Sequence, residues 1–281
     1  MTLISETLDD LRQRLTQVSQ SPDLDSQVLL AHVLDKSRAW ILAHPENSLT
    51  NEEILALEAA ATRLETGTPL PYVLGQWEFF GLKFRITPET LIPRPETELL
   101  VENALTWLNQ HPKYRLALDV GTGSGCIAIA LASRIPDLKI IATDKSFSAL
   151  DVARVNALQL GTLQQVEFLQ ANLMPPVQSK FNLICANLPY IPTSTLHTLK
   201  VYGKEPELAL DGGKDGLDLI RSLIYLAAYS VSPGGLILLE IESSQGGAGS
   251  SLAKTIFPDA HIQILPDLAG LDRLLRIQIA E

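Results

Sequence analysis

Apolar positions recur at steps of three and four through the first 74 residues. Ile4, Leu8, Leu11, Leu15 and Val18 make one stripe along a predicted helix. "SPDLDSQVLLAHVL" is expected to open a second helix, capped by Ser21 with Pro22 in its first turn. "TNEE" reads as a capping box, Thr50 with Glu53, ahead of a helix burying Ile54, Leu57, Ala61 and Leu64. Residues 1–74 are therefore predicted to form a small helical bundle.

The period then changes. "GQWEFFGLKFRITPETLIPRPETE" is rich in aromatics and alternates around Phe80, Leu82, Phe84 and Ile86, which predicts a β-hairpin linker over 75–94. Its rings Trp77, Phe79 and Phe80 are available to pack between two domains. From 95 to 281 apolar strands alternate with helices. The strands are Leu116–Val120, Leu138–Thr143, Val166–Leu169, Phe181–Ala186 and Gly235–Ile241. Such alternation means an α/β, Rossmann-like domain: a parallel sheet with helices on both faces. Two final runs, "AHIQIL" and "RLLRIQIA", lie too close together for a helical crossover and should pair as an antiparallel hairpin at a sheet edge. "GKEPELALDGGKDG" and "SSQGGAGSS" read as flexible loops.

Composition narrows the class. The chain has 281 residues, enough for two domains, and 46% hydrophobic residues, enough for a sizeable core. The net charge of −10 argues against a nucleic-acid or membrane-surface role, which leaves a basic footprint. Cys126 and Cys185 sit among small and apolar neighbours like buried free thiols, and the five histidines have no ligand-like spacing, so no metal is expected. No apolar run approaches the ~20 residues needed to span a bilayer, and the N-terminus lacks a signal-peptide core. A cytoplasmic monomer is expected.

The candidate chemistry begins at "LALDVGTGSGCIAIALA", a strand, a glycine loop and a helix. Gly121, Gly123 and Gly125, with Thr122 and Ser124 between them, let the backbone approach a ligand at the carboxyl end of a parallel strand. Asp144 ends the next strand, where its carboxylate can accept from two ribose hydroxyls. The spacing is G-x-G-x-G rather than G-x-G-x-x-G, and a second nucleotide-binding half is missing. That favours S-adenosylmethionine over NAD.

"ICANLPYIP" ends the fourth strand, a neighbour of the first across the topological switch point. Asn187 Oδ1 and the Leu188 carbonyl are two acceptors, Tyr190 is an aromatic wall, and Pro189 stiffens the turn. Together they suit a planar –NH2 group brought against a methyl donor. Glu205 and the acids of "LDGGKDGLD" could border this site, with Asp211 equally readable as a turn. Glu240 and Glu242 alternate on one strand face and receive no catalytic role.

Six segments carry a resemblance across most of the chain: "PYVLGQWEFFGLKF", "LIPRPETELLVE", "LDVGTGSGCIAIALA", "ANLPYIP", "KEPELALDGGKDGLDLIRSLI" and "DLAGLDR". In this order they resemble the HemK/PrmC-type peptide chain release factor N5-glutamine methyltransferases. The resemblance implies a helical domain that recognises the release factor, a hairpin, and a seven-stranded methyltransferase domain. It implies methylation of the glutamine in the GGQ loop of class-1 release factors. Gly121 to Gly125 and Asp144 would hold S-adenosylmethionine, Asn172 or Leu173 would lie near the adenine, and Asn187 to Tyr190 would grip the glutamine. "IPRPETE" would close over the cofactor. Two positions depart from the family pattern: Leu188 replaces the first proline of Asn-Pro-Pro-Tyr, and Asn172 stands where many relatives have Asp. Leu188 keeps the carbonyl but removes a restraint on Asn187.

An Asn-x-Pro-Tyr turn would serve adenine N6 as well, so a nucleic-acid adenine methyltransferase is the alternative. The acidic balance weighs against it. A non-catalytic scaffold would have lost the acceptors, and Asn187 is intact.

Overall fold

The computed structural model describes residues 2–176 and 178–281. Two compact units emerge, Met1–Gln76 and Trp77–Glu281.

The first unit holds α1 (Ile4–Leu15), α2 (Pro22–Val33), α3 (Arg38–Ala43), α4 (Asn51–Glu65) and α5 (Leu70–Leu74). Its core is built on Ile4, Leu11, Leu15, Leu29, Leu30, Ile41, Leu57 and Ala61, all buried. Thr50 caps α4 as expected, accepting from Glu53 N–H while Glu53 Oε2 accepts from Thr50 N–H at 2.7 Å. Ser21 does not cap α2 with its side chain. Its N–H instead donates to Ser19 Oγ, whose hydroxyl donates to Asp25. Val18 lies beyond the end of α1 and is exposed, so the stripe stops at Leu15.

The hairpin is β1 (Gln76–Phe79) and β2 (Leu82–Arg85). Phe79 and Phe84 are buried with their rings edge to face, and Arg134 lies over Phe80. The Phe80 N–H donates to Glu98, and Asn156 exchanges hydrogen bonds with the Arg85 backbone. The hairpin's rings are thus anchored on the second unit.

That unit continues with α6 (Glu98–Gln110), β3 (Leu116–Val120), α7 (Cys126–Arg134), β4 (Lys139–Asp144), α8 (Phe147–Gln159), β5 (Val166–Gln170) and β6 (Phe181–Ala186). It ends with α9 (Thr193–Leu196), α10 (Asp218–Ala227), β7 (Val231–Glu240), α11 (Gly246–Ile256), β8 (His261–Pro266) and β9 (Asp272–Gln278). The sheet order is β5-β4-β3-β6-β7-β9-β8, with seven strands. All pairs from β5 to β7 are parallel, and β9 runs antiparallel to both neighbours. The tail hairpin therefore forms as the sequence predicts.

Alternation along β3 splits the interior. Leu118 and Val120 join a core with Ile220, Leu223 and Ile224 of α10 and Ala253 of α11, whereas Asp119 meets the amide of Ala128 in α7. Strands buried on both faces are why these runs read as nearly continuous apolar stretches. "SSQGGAGSS" is not a loop. Residues 243–245 make a 3₁₀ turn and Gly246 begins α11, whose Gly249 sits against Leu275. Packing against the sheet outweighs glycine's low helix propensity. The stretch around Asp211 is tied down: Asp211 accepts from Thr193 Oγ1 at 2.7 Å and from Gly213 N–H at 2.9 Å.

Candidate active site

Parallel strands β3, β4 and β6 end at one edge, and a cavity of about 380 Å³ opens there, within the usual range for small-molecule sites. It is lined by Gly121, Thr122, Gly123 and Ser124 after β3, by Asp144 at the end of β4, by Asn172 and Leu173 after β5, and by Asn187, Leu188 and Pro189 after β6. Residues from Glu89 to Thr97 and from Pro206 to Ala209 supply the opposing wall.

Two expected residues lie elsewhere. Gly125 is absent from the cavity wall. A side chain there would meet Ile129 Cδ1 at 2.8 Å and Ala153 Cβ at 3.1 Å, so this glycine serves the packing of α7 on α8. Tyr190 lines a smaller adjoining cavity of about 110 Å³, which shares Asn187, Leu188, Pro189, Leu91 and Arg94 with the first.

The glycine loop and the β4 acid are joined directly. Asp144 Oδ2 accepts from Gly123 N–H at 2.9 Å and Oδ1 accepts from Ser146 N–H at 2.8 Å. Each oxygen keeps a further lone pair for a ligand hydroxyl. Burial pushes the Asp144 carboxyl above its ordinary value, and these backbone donors pull it back. Gly123 has φ +56°, and nothing stands within 4 Å of where its Cβ would be.

Beneath the loop, Asp119 is 1% exposed. Its Oδ2 accepts from Thr122 Oγ1 at 2.6 Å and from Ala128 N–H, while Oδ1 and the nearby Ser124 hydroxyl have no partner among the described residues. Burial pushes this carboxyl up to about 6. Ser124 belongs to the cavity wall, whereas Asp119 lies behind it and supports the loop from within.

On the β6 side, Asn187 Nδ2 donates to Thr97 Oγ1 at 3.0 Å, and Thr97 Oγ1 donates to Glu240 Oε2 at 2.7 Å. The Tyr190 hydroxyl donates to Glu240 Oε1 at 3.3 Å. Burial pushes Glu240 up to about 7 and holds the Tyr190 hydroxyl far above its usual range. Gln245 Nε2 donates to the Tyr190 carbonyl at 2.9 Å, fixing the turn from behind.

Thr97, Asp119 and Glu240 escape a motif-based reading. A signal existed for both acids: each interrupts an otherwise apolar strand, "LALDV" and "GLILLEI". A charge there is rarely fully buried unless it is partnered. Thr97 lay within "IPRPETE", expected to close over the cofactor, but nothing local singled out its hydroxyl. Among the described residues no group of three or more His, Cys, Asp or Glu could hold a metal ion, and no helix is long and apolar enough to cross a membrane.

Known proteins resemble this chain along nearly its whole length. Residues 6–75 match the PrmC N-terminal domain and residues 95–201 the methyltransferase small domain. A release factor glutamine methyltransferase of Moorella thermoacetica is 41% identical over 275 residues, covering 97% of each chain. Its counterpart in Coxiella burnetii is 39% identical over 278 residues, 98% of each chain. Among solved structures, the Thermus thermophilus 16S rRNA N2 G1207 methyltransferase in complex with AdoMet and guanosine has the same fold. It aligns with TM-score 0.52 and 16% identity over 73% of this chain and 49% of that one. Alignments at 39–41% identity that cover 97–98% of the chain lead to one conclusion: the chain belongs to the release factor glutamine methyltransferase family.

Proposed function

We propose that this protein methylates the side-chain amide nitrogen (N5) of a release factor glutamine, with S-adenosylmethionine as donor and the GGQ loop of a class-1 release factor as substrate. The observation that carries the reading is one cavity lined by the glycine loop, the β4 acid and the Asn187 turn together. The donor set suits the cofactor. Asp144 offers carboxylate oxygens to the ribose, and Asn172 and Leu173 border a place for the adenine. When bound, S-adenosylmethionine supplies an electrophilic methyl group: its C–S bond breaks as the C–N bond forms.

The chain's own task is to make a poor nucleophile usable. An amide nitrogen has a delocalised lone pair. Asn187 Oδ1 and the Leu188 carbonyl would each accept one of its N–H groups, turning the lone pair toward the methyl. Positioning of this kind supplies up to about 7–11 kcal/mol. Positive charge growing on the nitrogen strengthens both hydrogen bonds, so the gain is largest in the transition state. The N-methylated amide, a strong acid while it carries the extra proton, then gives that proton to water. The adjoining cavity at Tyr190 would take the glutamine side chain, with the ring against the amide plane.

The test is direct. Purified protein is incubated with methyl-labelled S-adenosylmethionine and a purified class-1 release factor, and the label is mapped by peptide mass spectrometry. Label on the GGQ glutamine, abolished by Asn187→Ala, is the expected result. Label on nucleic acid, or none on the release factor, overturns it.

A further inference from the structure

The hydrogen bonds behind Asn187 all run one way. A carboxylate only accepts, so the Thr97 hydroxyl gives its single proton to Glu240. Its lone pairs are then left for Asn187 Nδ2. Tyr190 gives its proton to the other Glu240 oxygen. Thr97 is 1% and Glu240 2% exposed, so water does not substitute in the contact between them.

The direction matters because an amide is nearly symmetric in shape. Turning the Asn187 side chain by 180° about its last torsion exchanges oxygen for NH2 at little steric cost, and presents a donor to a substrate nitrogen that needs an acceptor. Packing does not distinguish the two orientations; the polarity of the partner does. A threonine hydroxyl alone would donate or accept equally well, and the carboxylate behind it removes that choice. We propose that Glu240, acting through Thr97, is a positioning residue that locks the Asn187 amide with Oδ1 toward the substrate. The inference rests on the reading of Asn187 as the acceptor for the glutamine nitrogen.

The lock depends on protonation. Groups from every neighbouring element face Glu240: Thr97 and Glu96 in the turn before α6, Cys126 at the start of α7, Tyr190 after β6, and Arg273 on β9, itself paired with Asp267. Burial is the strongest influence and pushes the carboxyl up, opposed by the Thr97 hydrogen bond and the Arg273 charge. Protonated Glu240 carries a donor of its own. The Thr97 hydroxyl is then free to donate to Asn187 Oδ1, which favours the unproductive orientation. Activity should fall as the pH drops through the Glu240 titration.

Three variants of the full chain test this. Thr97→Val removes the relay at constant shape, Thr97→Ser keeps it, and Glu240→Gln keeps an acceptor for Thr97 but abolishes the titration. Turnover on a release factor is measured from pH 6 to 8.5, beside S-adenosylmethionine affinity and Tm. We expect Thr97→Val to lower kcat about tenfold or more, the factor for an unsatisfied buried donor, with cofactor Kd within twofold. Thr97→Ser should stay within about threefold of the parent, a loss well below that factor. Glu240→Gln should lose the acid limb. Separately, the Asn187 side-chain NH2 signals in a nitrogen–proton NMR spectrum should be protected from exchange in the parent and unprotected in Thr97→Val. An active parent whose kcat is unchanged by Thr97→Val, or an acid limb that survives Glu240→Gln, overturns the proposal. An inactive parent with protected Asn187 signals overturns the functional reading alone; unprotected signals in the parent overturn the lock itself.

Discussion

The Arg94 guanidinium and the Glu205 carboxylate, 111 positions apart in sequence, meet in an ion pair beside the cavity. The second Glu205 oxygen accepts from the Ile92 N–H at 3.0 Å. Glu205 thereby ties the segment before α6 to the segment before α10, and both contribute cavity wall. The Glu205 side chain is 5% exposed and that of Arg94 36%, so solvent weakens one end of the pair. Glu205→Ala should cost about 2 kcal/mol, less than a fully buried pair would, and should weaken S-adenosylmethionine binding. Urea unfolding and titration calorimetry measure the two effects. Unchanged affinity would mean that the wall holds without the pair.

The Asp144 carboxylate supports the loop and lines the cavity at once. Asp144→Asn swaps a charged acceptor for a neutral one opposite Gly123 N–H, and leaves one backbone donor facing an NH2 group. Affinity for S-adenosylmethionine should fall by about tenfold to a hundredfold, the range for hydrogen bonds to charged groups. Calorimetry at neutral pH decides it.

Gly123 and Gly125 share a left-handed backbone but differ in surroundings. Gly125→Ala forces its methyl against Ile129 and Ala153, and should lower stability by about 1–3 kcal/mol. Gly123→Ala meets open space, so it should cost only about 1 kcal/mol of backbone strain while obstructing the ligand. Tm should fall further for the first variant and cofactor affinity further for the second. The reverse order would contradict the assignment of Gly125 to packing.

Stability should fall as pH rises through the weakly acidic range. Buried Asp119 and Glu240 are pushed up to about 6 and about 7 from ordinary values of 3.8 and 4.5. Between each pair of values the folded chain keeps a proton that the unfolded chain has lost, so raising the pH favours unfolding. For Asp119 the shift corresponds to about 3 kcal/mol as an upper bound. Asp119→Asn keeps an acceptor for Thr122 and Ala128 without the buried charge. It should therefore flatten the slope between about pH 4 and pH 6 and be at least as stable as the parent at pH 7.5. Urea unfolding at several pH values checks the sign.

Much of this was legible in the chain. The shift from a helical period to strand–helix alternation, the antiparallel tail, the Thr50–Glu53 cap and the convergence of Gly123, Asp144 and Asn187 on one edge follow from local pattern and the fixed geometry of parallel sheets. Motifs carried those residues because backbone conformation is a local property. Ser21 and "SSQGGAGSS" misled for the complementary reason: a cap preference or a low helix propensity is worth about 1 kcal/mol or less, and tertiary contacts outweigh it. The tertiary structure alone decided that Gly125 packs on α8, that Glu205 reaches Arg94, and that Thr97 and Glu240 stand behind Asn187. Those partners lie 90 or more residues apart for Asn187–Thr97 and for Thr97–Glu240. Their pairing is a matter of where buried hydrogen-bond donors find acceptors once the sheet has formed, and no local stretch of chain encodes it.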